Sequence, residues 1–140
     1  MKIRITETNP DVISGLIKAI PEFWYKTSVE EITDRCCGKQ PGFWCCWIDD
    51  TKAGFLVSYA LDDLRYYNWI MGVLPDFRRQ GCGAYMIDHF ESCVAKYGFR
   101  KCAVKSMNRY RSMLALLIRK GYDILLVEAD GKIYFEKKIE

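Results

Sequence analysis

Two arginines and two glycines lie close together between an apolar segment and a helical pattern. Arg78 and Arg79 carry full positive charges, while Gly81 and Gly83 let the chain turn tightly and let a ligand approach the backbone. The helix that begins here has unpaired N–H groups and the positive end of its dipole at its first turn. These residue types at this spacing predict a site for an anion, and they suit a pyrophosphate.

Other phosphate-binding loops fit this segment less well. No Gly-Lys-Ser/Thr sequence is present, which excludes a Walker loop. A dinucleotide fingerprint needs a third glycine, and Met86 occupies that position. An arginine- and glycine-rich turn without a ligand is the simpler alternative, but the strand, proline and helix around the segment favour a ligand.

The other nucleophiles and metal-ligating residue types form weaker patterns. His89, the single histidine, lies off the apolar stripe of its helix, so we expect it to face solvent. Cys82 is close to a helix start, where a thiol pKa can fall, so a covalent intermediate on its sulfur is an alternative, although a bound phosphate would cover this thiol. The seven cysteines include the adjacent pairs 36–37 and 45–46, a spacing unsuited to zinc. We therefore predict reduced thiols and no metal, and we interpret Cys45 or Cys46 as a small apolar residue of a strand.

Composition limits the function further. A length of 140 residues predicts one domain over 1–140, and a hydrophobic share of 50% is enough for a core. The net charge of +3 is too small to indicate a nucleic-acid binder. The sequence has no apolar run of about 18 residues and its first ten residues are polar, so we expect no membrane span, no signal peptide and a cytoplasmic location.

The elements that must position this segment follow from hydrophobic periodicity and capping signals. Asn9 and Ser28 are predicted to cap helices, the latter in a capping box with Glu31. Leu114, Leu117 and Ile118 are expected to face inward from the last helix. We predict strands at 2–7, 43–49, 53–61, 66–74, 101–105, 124–128 and 132–136. The last two strands are joined by a two-residue turn at 130–131. We predict helices at 9–21, 28–38, 81–98 and 111–120.

The predicted order is β-α-α-β-β-β-α-β-α-β-β. Short turns join the three central strands, which favours an antiparallel meander, whereas the later helices cross between strands. This order predicts an α/β domain in which a mixed, mostly antiparallel sheet is flanked by helices.

At this point the segment resembles a known family signature. Val73, Pro75, Arg78, Gly81 and Gly83 match the acetyl-CoA signature of the GNAT superfamily of N-acetyltransferases. The helix predicted at 111–120, followed by Gly121 and Tyr122, is similar to the second coenzyme-side helix of that family. The order of elements over nearly the whole chain is also similar to the GNAT fold.

The resemblance implies the cosubstrate and the residues that hold it. The strand before the loop would splay from its neighbour and bind the pantetheine arm through the backbone of Met71 and Val73. The pyrophosphate would be bound by backbone N–H groups and flanked by Arg78 and Arg79. The residues implied in coenzyme binding are Met71, Val73, Arg78, Arg79, Gln80, Gly81, Cys82, Gly83, Ala84 and Asn108.

The resemblance also implies direct attack of a primary amine on the thioester of acetyl-CoA. A backbone N–H near Val73 could polarise the thioester carbonyl. The amine could belong to a small molecule or to a protein, and members of the family are often homodimers. Trp24, Tyr25, Phe43, Trp44 and Trp47 fall in the half of the chain that usually builds the acceptor side, and they could equally be core residues.

The sequence departs from the family pattern at the proton-transfer positions. Leu117 stands where many members carry a tyrosine as general acid, and Tyr67 stands where some carry a glutamate as base. Tyr110 replaces an asparagine common at the start of the second helix, and Asn108 lies two residues earlier. Tyr110 and Tyr67 are therefore the candidate catalytic residues, Tyr110 being the better acid. Asp62 and Asp63 are more simply explained as a turn.

A non-catalytic acetyl-CoA-binding module is the alternative function.

Overall fold

The computed structural model describes residues 1–139, and it confirms the predicted order of strands and helices. The strands are β1 (Ile3–Glu7), β2 (Gly42–Ile48), β3 (Thr51–Ala60), β4 (Arg65–Val73), β5 (Lys101–Met107), β6 (Asp123–Val127) and β7 (Lys132–Lys138). The helices are α1 (Pro10–Lys18), α2 (Val29–Cys36), α3 (Cys82–Lys96) and α4 (Arg111–Arg119), and a single 3-10 turn covers Pro75–Phe77. None of the helices within the described range is long and apolar enough to cross a membrane.

The local signals read from the sequence set the starts of the first two helices. The Asn9 side chain accepts a hydrogen bond from the Val12 N–H, as a helix cap should. Ser28 and Glu31 form both hydrogen bonds of a capping box at the start of α2. Both caps are confirmed, and each satisfies N–H groups that the helix itself leaves unpaired.

One sheet of seven strands forms the centre of the molecule, in the order β1-β2-β3-β4-β5-β7-β6. Every neighbouring pair is antiparallel except β4 and β5, which run parallel. Helix α3 carries the chain across from β4 to β5, because parallel strands require such a crossover. The predicted mixed, mostly antiparallel sheet is therefore confirmed.

Two apolar clusters cover the two faces of this sheet. Phe55 and Val57 of β3 pack in the cluster that contains α1 and α2, whereas Leu56 between them packs in the cluster that contains α3. Alternation along a strand places successive side chains on opposite faces. The molecule thus has three layers, with α1 and α2 on one face of the sheet and α3 and α4 on the other.

Two expected orientations are wrong. Ile118 was expected to face inward but is 57% exposed, because Leu117 takes the core-facing position of α4 and no element covers the adjacent side. His89 was expected to face solvent but is half-buried, with its ring 4.2 Å from that of Trp44 in an edge-on contact. Burial lowers the pKa of His89, since the charged imidazolium is poorly solvated there.

The turns differ in detail from the expected ones. The last hairpin closes through Glu128–Gly131 rather than through two residues: the Glu128 N–H donates to Lys132 O, and Gly131 adopts a left-handed φ of 90°. The Asp62 carboxylate accepts the N–H groups of Leu64 and Arg65, as a turn residue does. Six of the seven cysteines are buried and none is bonded to another. Cys45 and Cys46 pack in the two core clusters, which confirms the packing role predicted for this pair.

Candidate functional site

Strands β4 and β5 separate part of the way along their length. They pair in parallel from Arg65 opposite Lys101 to Asn68 opposite Val104, and no further. Beyond that point β4 remains paired with β3 as far as Val73, while β5 remains paired with β7 as far as Met107. We call this opening the fork and its closed end, at Asn68 and Val104, the apex. The facing edges of the two strands inside the fork have no strand partner among residues 1–139.

A β-bulge in β4 lies at the apex. Val57 of β3 is opposite Ile70 and Ser58 is opposite Asn68, so Trp69 has no partner. A bulge bends its strand and increases the local twist. The bend gives a physical reason for β4 to leave β5 at this residue while it keeps its pairing with β3.

The loop after β4 directs the start of α3 toward the open end of the fork. Gly81 caps α3 with a left-handed φ of 95°, a conformation that favours glycine. No side chain hydrogen-bonds to this helix end, and its first turn contains no acidic residue. The first N–H groups of α3 therefore remain available to an anion, as predicted.

A cleft of about 870 Å³ occupies the fork and continues to the starts of α3 and α4. Its floor includes the apolar segment from Ile70 to Val73, and its rim is cationic. Glu22 is the single carboxylate among its described lining residues, against six cationic side chains: Arg78, Arg79, Lys105, Arg109, Arg111 and Arg119. An apolar groove with a cationic rim suits a ligand that has a long uncharged arm and a phosphate group.

Arg78 is already paired in this cleft. Its Nη1 and Nη2 atoms donate to the two carboxylate oxygens of Glu22, at 2.5 and 2.8 Å, and its Nε donates to Val73 O at 3.2 Å. The hydrogen bond from Arg78 lowers the pKa of Glu22. Glu22 was missed by the sequence analysis, because it lies 56 residues from Arg78 in a turn that carries no pattern.

Most of the predicted coenzyme residues line this cleft. Those that do so are Met71, Val73, Arg78, Arg79, Gly81, Cys82, Gly83 and Ala84. Gln80 and Asn108 are exposed and lie outside the lining, and the Gln80 side chain donates to Asp76 O instead. Arg111 and Arg119 line the cleft without having been singled out, although the cationic stretch to which they belong is visible in the sequence.

The two candidate tyrosines have different environments. Tyr110 is half-buried in the cleft, and Arg109 Nη2 donates to its hydroxyl oxygen at 3.1 Å. Tyr67 is 5% exposed, packs in the apolar cluster beside α1 and α2, and lies outside the cleft lining. Burial raises the pKa of Tyr67, so its proton is held more tightly than that of an ordinary tyrosine.

Cys82 and Leu117 are unsuited to chemistry. Cys82 is 2% exposed, and burial raises the pKa of its thiol, so the thiolate needed for a covalent intermediate is disfavoured. Leu117 is a fully buried core residue. A general acid at this site must therefore come from another position.

The five aromatic residues singled out in the first half of the chain separate into two groups, and Trp24 and Tyr25 form the exposed one. Phe43, Trp44 and Trp47 pack against the core clusters and do not line the cleft. Tyr25 is exposed and lines both the cleft and a neighbouring groove of about 590 Å³. That groove also contains Trp69, at the apex, and the carboxylates of Glu31 and Asp34.

Comparison with known proteins gives one family and many similar folds. Residues 9–122 match the family model described as the acetyltransferase (GNAT) family. A comparison with curated protein sequences gives no significant match.

Three solved structures illustrate the likeness of fold. Ard1 from Thermoplasma volcanium has a TM-score of 0.84 at 15% identity, covering 100% of this chain and 99% of that one. The ribosomal-protein-S18-alanine N-acetyltransferase from Escherichia coli has a TM-score of 0.81 at 16% identity, with 99% and 94% covered. The PaiA N-acetyltransferase from Thermoplasma acidophilum, in complex with coenzyme A, has a TM-score of 0.80 at 15% identity, with 99% and 100% covered.

Proposed function

Because the chain belongs to the GNAT acetyltransferase family, we propose that it transfers an acetyl group from acetyl-CoA to a primary amine. The single observation that carries this proposal is the fork between β4 and β5, which opens onto the uncapped start of α3. The similar fold from Thermoplasma acidophilum is in complex with coenzyme A, which supports the choice of ligand.

The residues of the cleft fit acetyl-CoA in shape and charge. The backbone of β4 at Met71 and Val73 has no strand partner on the β5 side and would bind the pantetheine arm as an added strand does, with Val73 O released by Arg78 Nε. The N–H groups at the start of α3 would bind the pyrophosphate, and Arg78 and Arg79 would flank it. Arg111 and Arg119 are further cations for the remaining phosphate charge. When bound, acetyl-CoA would supply an acetyl thioester open to direct attack.

The acceptor amine would enter from the face that carries α1 and α2. The groove beside Trp69 reaches the cleft there. Its two carboxylates, Glu31 and Asp34, outnumber its one guanidinium, Arg35, and would attract a protonated amine. The amine must lose a proton before its nitrogen can bond to the thioester carbon, and water in this open groove would accept that proton.

We assign the general acid to Tyr110. As the carbon–sulfur bond breaks, the Tyr110 hydroxyl would donate its proton to the departing sulfur. The Arg109 guanidinium, which donates to the same oxygen, would stabilise the negative charge that remains on the tyrosine.

Substitution of Tyr110 tests this assignment. Wild-type protein, Tyr110→Phe and Tyr67→Phe would be compared for release of free thiol from acetyl-CoA in the presence of a panel of primary amines. We expect Tyr110→Phe to lower kcat by about 100-fold, as loss of a general acid does, while acetyl-CoA still binds. Tyr67→Phe is the matched control and should leave kcat unchanged, because its hydroxyl lies outside the cleft.

Two results would contradict this account, one the assignment of Tyr110 and the other the proposed activity. Unchanged turnover in Tyr110→Phe would remove Tyr110 as the acid. Tight binding of acetyl-CoA by the wild-type protein, with no transfer to any amine, would instead favour the non-catalytic module.

A further inference from the structure

Strand β6 has the composition of an interior strand but lies at the edge of the sheet. Residues 124–127, Ile-Leu-Leu-Val, form a continuous apolar run, a pattern typical of a strand that is buried on both faces. Yet β6 pairs only with β7, and its outer edge has no strand partner among residues 1–139. All five of its residues are exposed. The apolar run is accounted for if another chain covers this edge.

The apolar side chains of β6 lie on both faces of the sheet. Val127 is opposite Ile133 of β7, which packs in the α3 cluster. Leu126 is opposite Tyr134, which packs against the cluster that contains α1 and α2. Because directly opposite residues of an antiparallel pair share a face, Val127 and Leu126 point to different sides of the sheet. A partner that covers both must therefore lie along the edge itself.

The strand at the other edge of the sheet, β1, has a different character. Its Ile3 and Ile5 side chains pack against the α3 cluster, and the residues between and after them include the charged Arg4 and Glu7. Within the described range none of the exposed large apolar residues belongs to β1. Charged side chains protect an edge from pairing with another strand. Head-to-tail association of β6 with β1 thus lacks a matching surface, whereas β6 matches itself, and self-matching surfaces give closed two-fold pairs.

The charges around β6 favour an apolar partner over a charged one. No charged residue lies between Asp123 and Glu128. Glu128 is already paired with Lys105 at 3.0 Å, and Lys120, just before the strand, is paired with Asp88 at 2.8 Å. The edge therefore offers little to attract a basic or an acidic segment, but it suits a second apolar edge.

The exposed apolar area is large enough for such a pair. Ile118, near the end of α4 that leads into β6, adds a fifth apolar residue to the four of the run, and the five are between 51% and 63% exposed. At roughly 100 Å² each they leave about 500 Å² open, near the upper end of the largest apolar patch on a typical monomer. A stable interface covers about 800 Å² of each partner, so this surface with its backbone and polar rim would supply most of it.

We propose that two copies of this chain associate through β6 about a two-fold axis, each edge covering the other. Leu125 has no partner on β7, because a bulge interrupts the register between Ile124 and Leu126. Such a bulge disturbs regular pairing, so side-chain packing contributes more to this interface than a continuous ladder of hydrogen bonds. The proposal concerns a surface outside the cleft and does not depend on the proposed function.

The test is the dissociation constant of the dimer, measured by sedimentation of the purified protein without acetyl-CoA. Leu126→Lys and Val127→Lys place a charge on either face of the edge, and a two-fold interface contains each substitution twice. We expect each to raise the dissociation constant at least about 100-fold, because like charges would be brought together in an apolar contact. Leu61→Lys is the matched control, since Leu61 is 44% exposed in the turn after β3, and it should leave the constant unchanged.

Three results would overturn the proposal. The first is a wild-type protein that sediments as a monomer at high micromolar concentration. The second is a dimer that remains as tight in either folded variant, as checked by far-ultraviolet circular dichroism. The third is a dimer that Leu61→Lys weakens as much as the other two, which would show a general effect of charge. Should one of the β6 variants not fold, Leu125→Lys takes its place in the comparison.

Discussion

The ion pair between Arg78 and Glu22 shows how a single residue can change the affinity of the proposed coenzyme site. Both side chains are about 40% exposed, at 40% and 44%, so the pair contributes at most about 1 kcal/mol to stability. A pyrophosphate bound at α3 would compete with Glu22 for the same guanidinium. The signature in the sequence identified Arg78, but its partner is distant in the chain and only folding shows it.

Glu22→Gln should strengthen the binding of coenzyme A. The substitution removes the competitor of the pyrophosphate and the single carboxylate on the described cleft rim, and we expect a dissociation constant about two- to fivefold lower. Calorimetric titration measures it, with Glu30→Gln as control, since Glu30 is an exposed acid of α2 outside the cleft. Weaker binding by Glu22→Gln would show instead that Glu22 holds Arg78 in its binding position.

At the scale of elements, the close approach of β3 to β4 holds the fork in place. A Cβ atom added to Gly54 of β3 would lie 2.6 Å from the carbonyl oxygen of Gly72 in β4. That oxygen belongs to the backbone and cannot rotate away. Any side chain at residue 54 must therefore push apart the two strands that position Met71 and Val73.

Gly54→Ala should consequently destabilise the fold by about 1–3 kcal/mol, as overpacking does. The matched control is Gly15→Ala in α1, where the new methyl group meets no atom within 4 Å. That substitution should raise the free energy of unfolding by about 0.5–1 kcal/mol, because alanine favours helix more than glycine does. Denaturant unfolding measures both, and equal effects of the two substitutions would contradict the strand geometry.

The elements that the sequence predicted well are those with local signals. The caps at Asn9 and Ser28 depend on neighbouring residues, so they can be read without a fold. The bulge at Trp69 could not be predicted, because it results from the register between β3 and β4. Ile118 was misassigned for a similar reason: its spacing is that of a buried residue, but burial requires an element to cover it.

The whole molecule has nearly equal numbers of basic and acidic residues, but the two kinds of charge are unequally distributed over it. The chain has 21 basic and 18 acidic residues, yet the described lining of the cleft has six cations and one carboxylate. The cationic stretch near Arg111 and the pair at Arg78 and Arg79 are separate in the sequence. Folding brings them to one opening because β4 and β5 run parallel, so that the segments after both strands emerge at the same edge of the sheet.

Titration of the protein with acetyl-CoA, together with two substitutions of Gly83, tests the central claim most directly. Gly83→Asp places a carboxylate at the start of α3, where the pyrophosphate is proposed to bind. Gly83→Ala is the neutral control: its added Cβ would lie 3.1 Å from Leu116 Cδ2, the movable end of a side chain.

We predict that the wild-type protein binds acetyl-CoA, that Gly83→Ala weakens binding only slightly, and that Gly83→Asp weakens it at least about tenfold through repulsion at the helix start. Failure of the wild-type protein to bind acetyl-CoA, or binding by Gly83→Asp as tight as that of Gly83→Ala, would contradict the account.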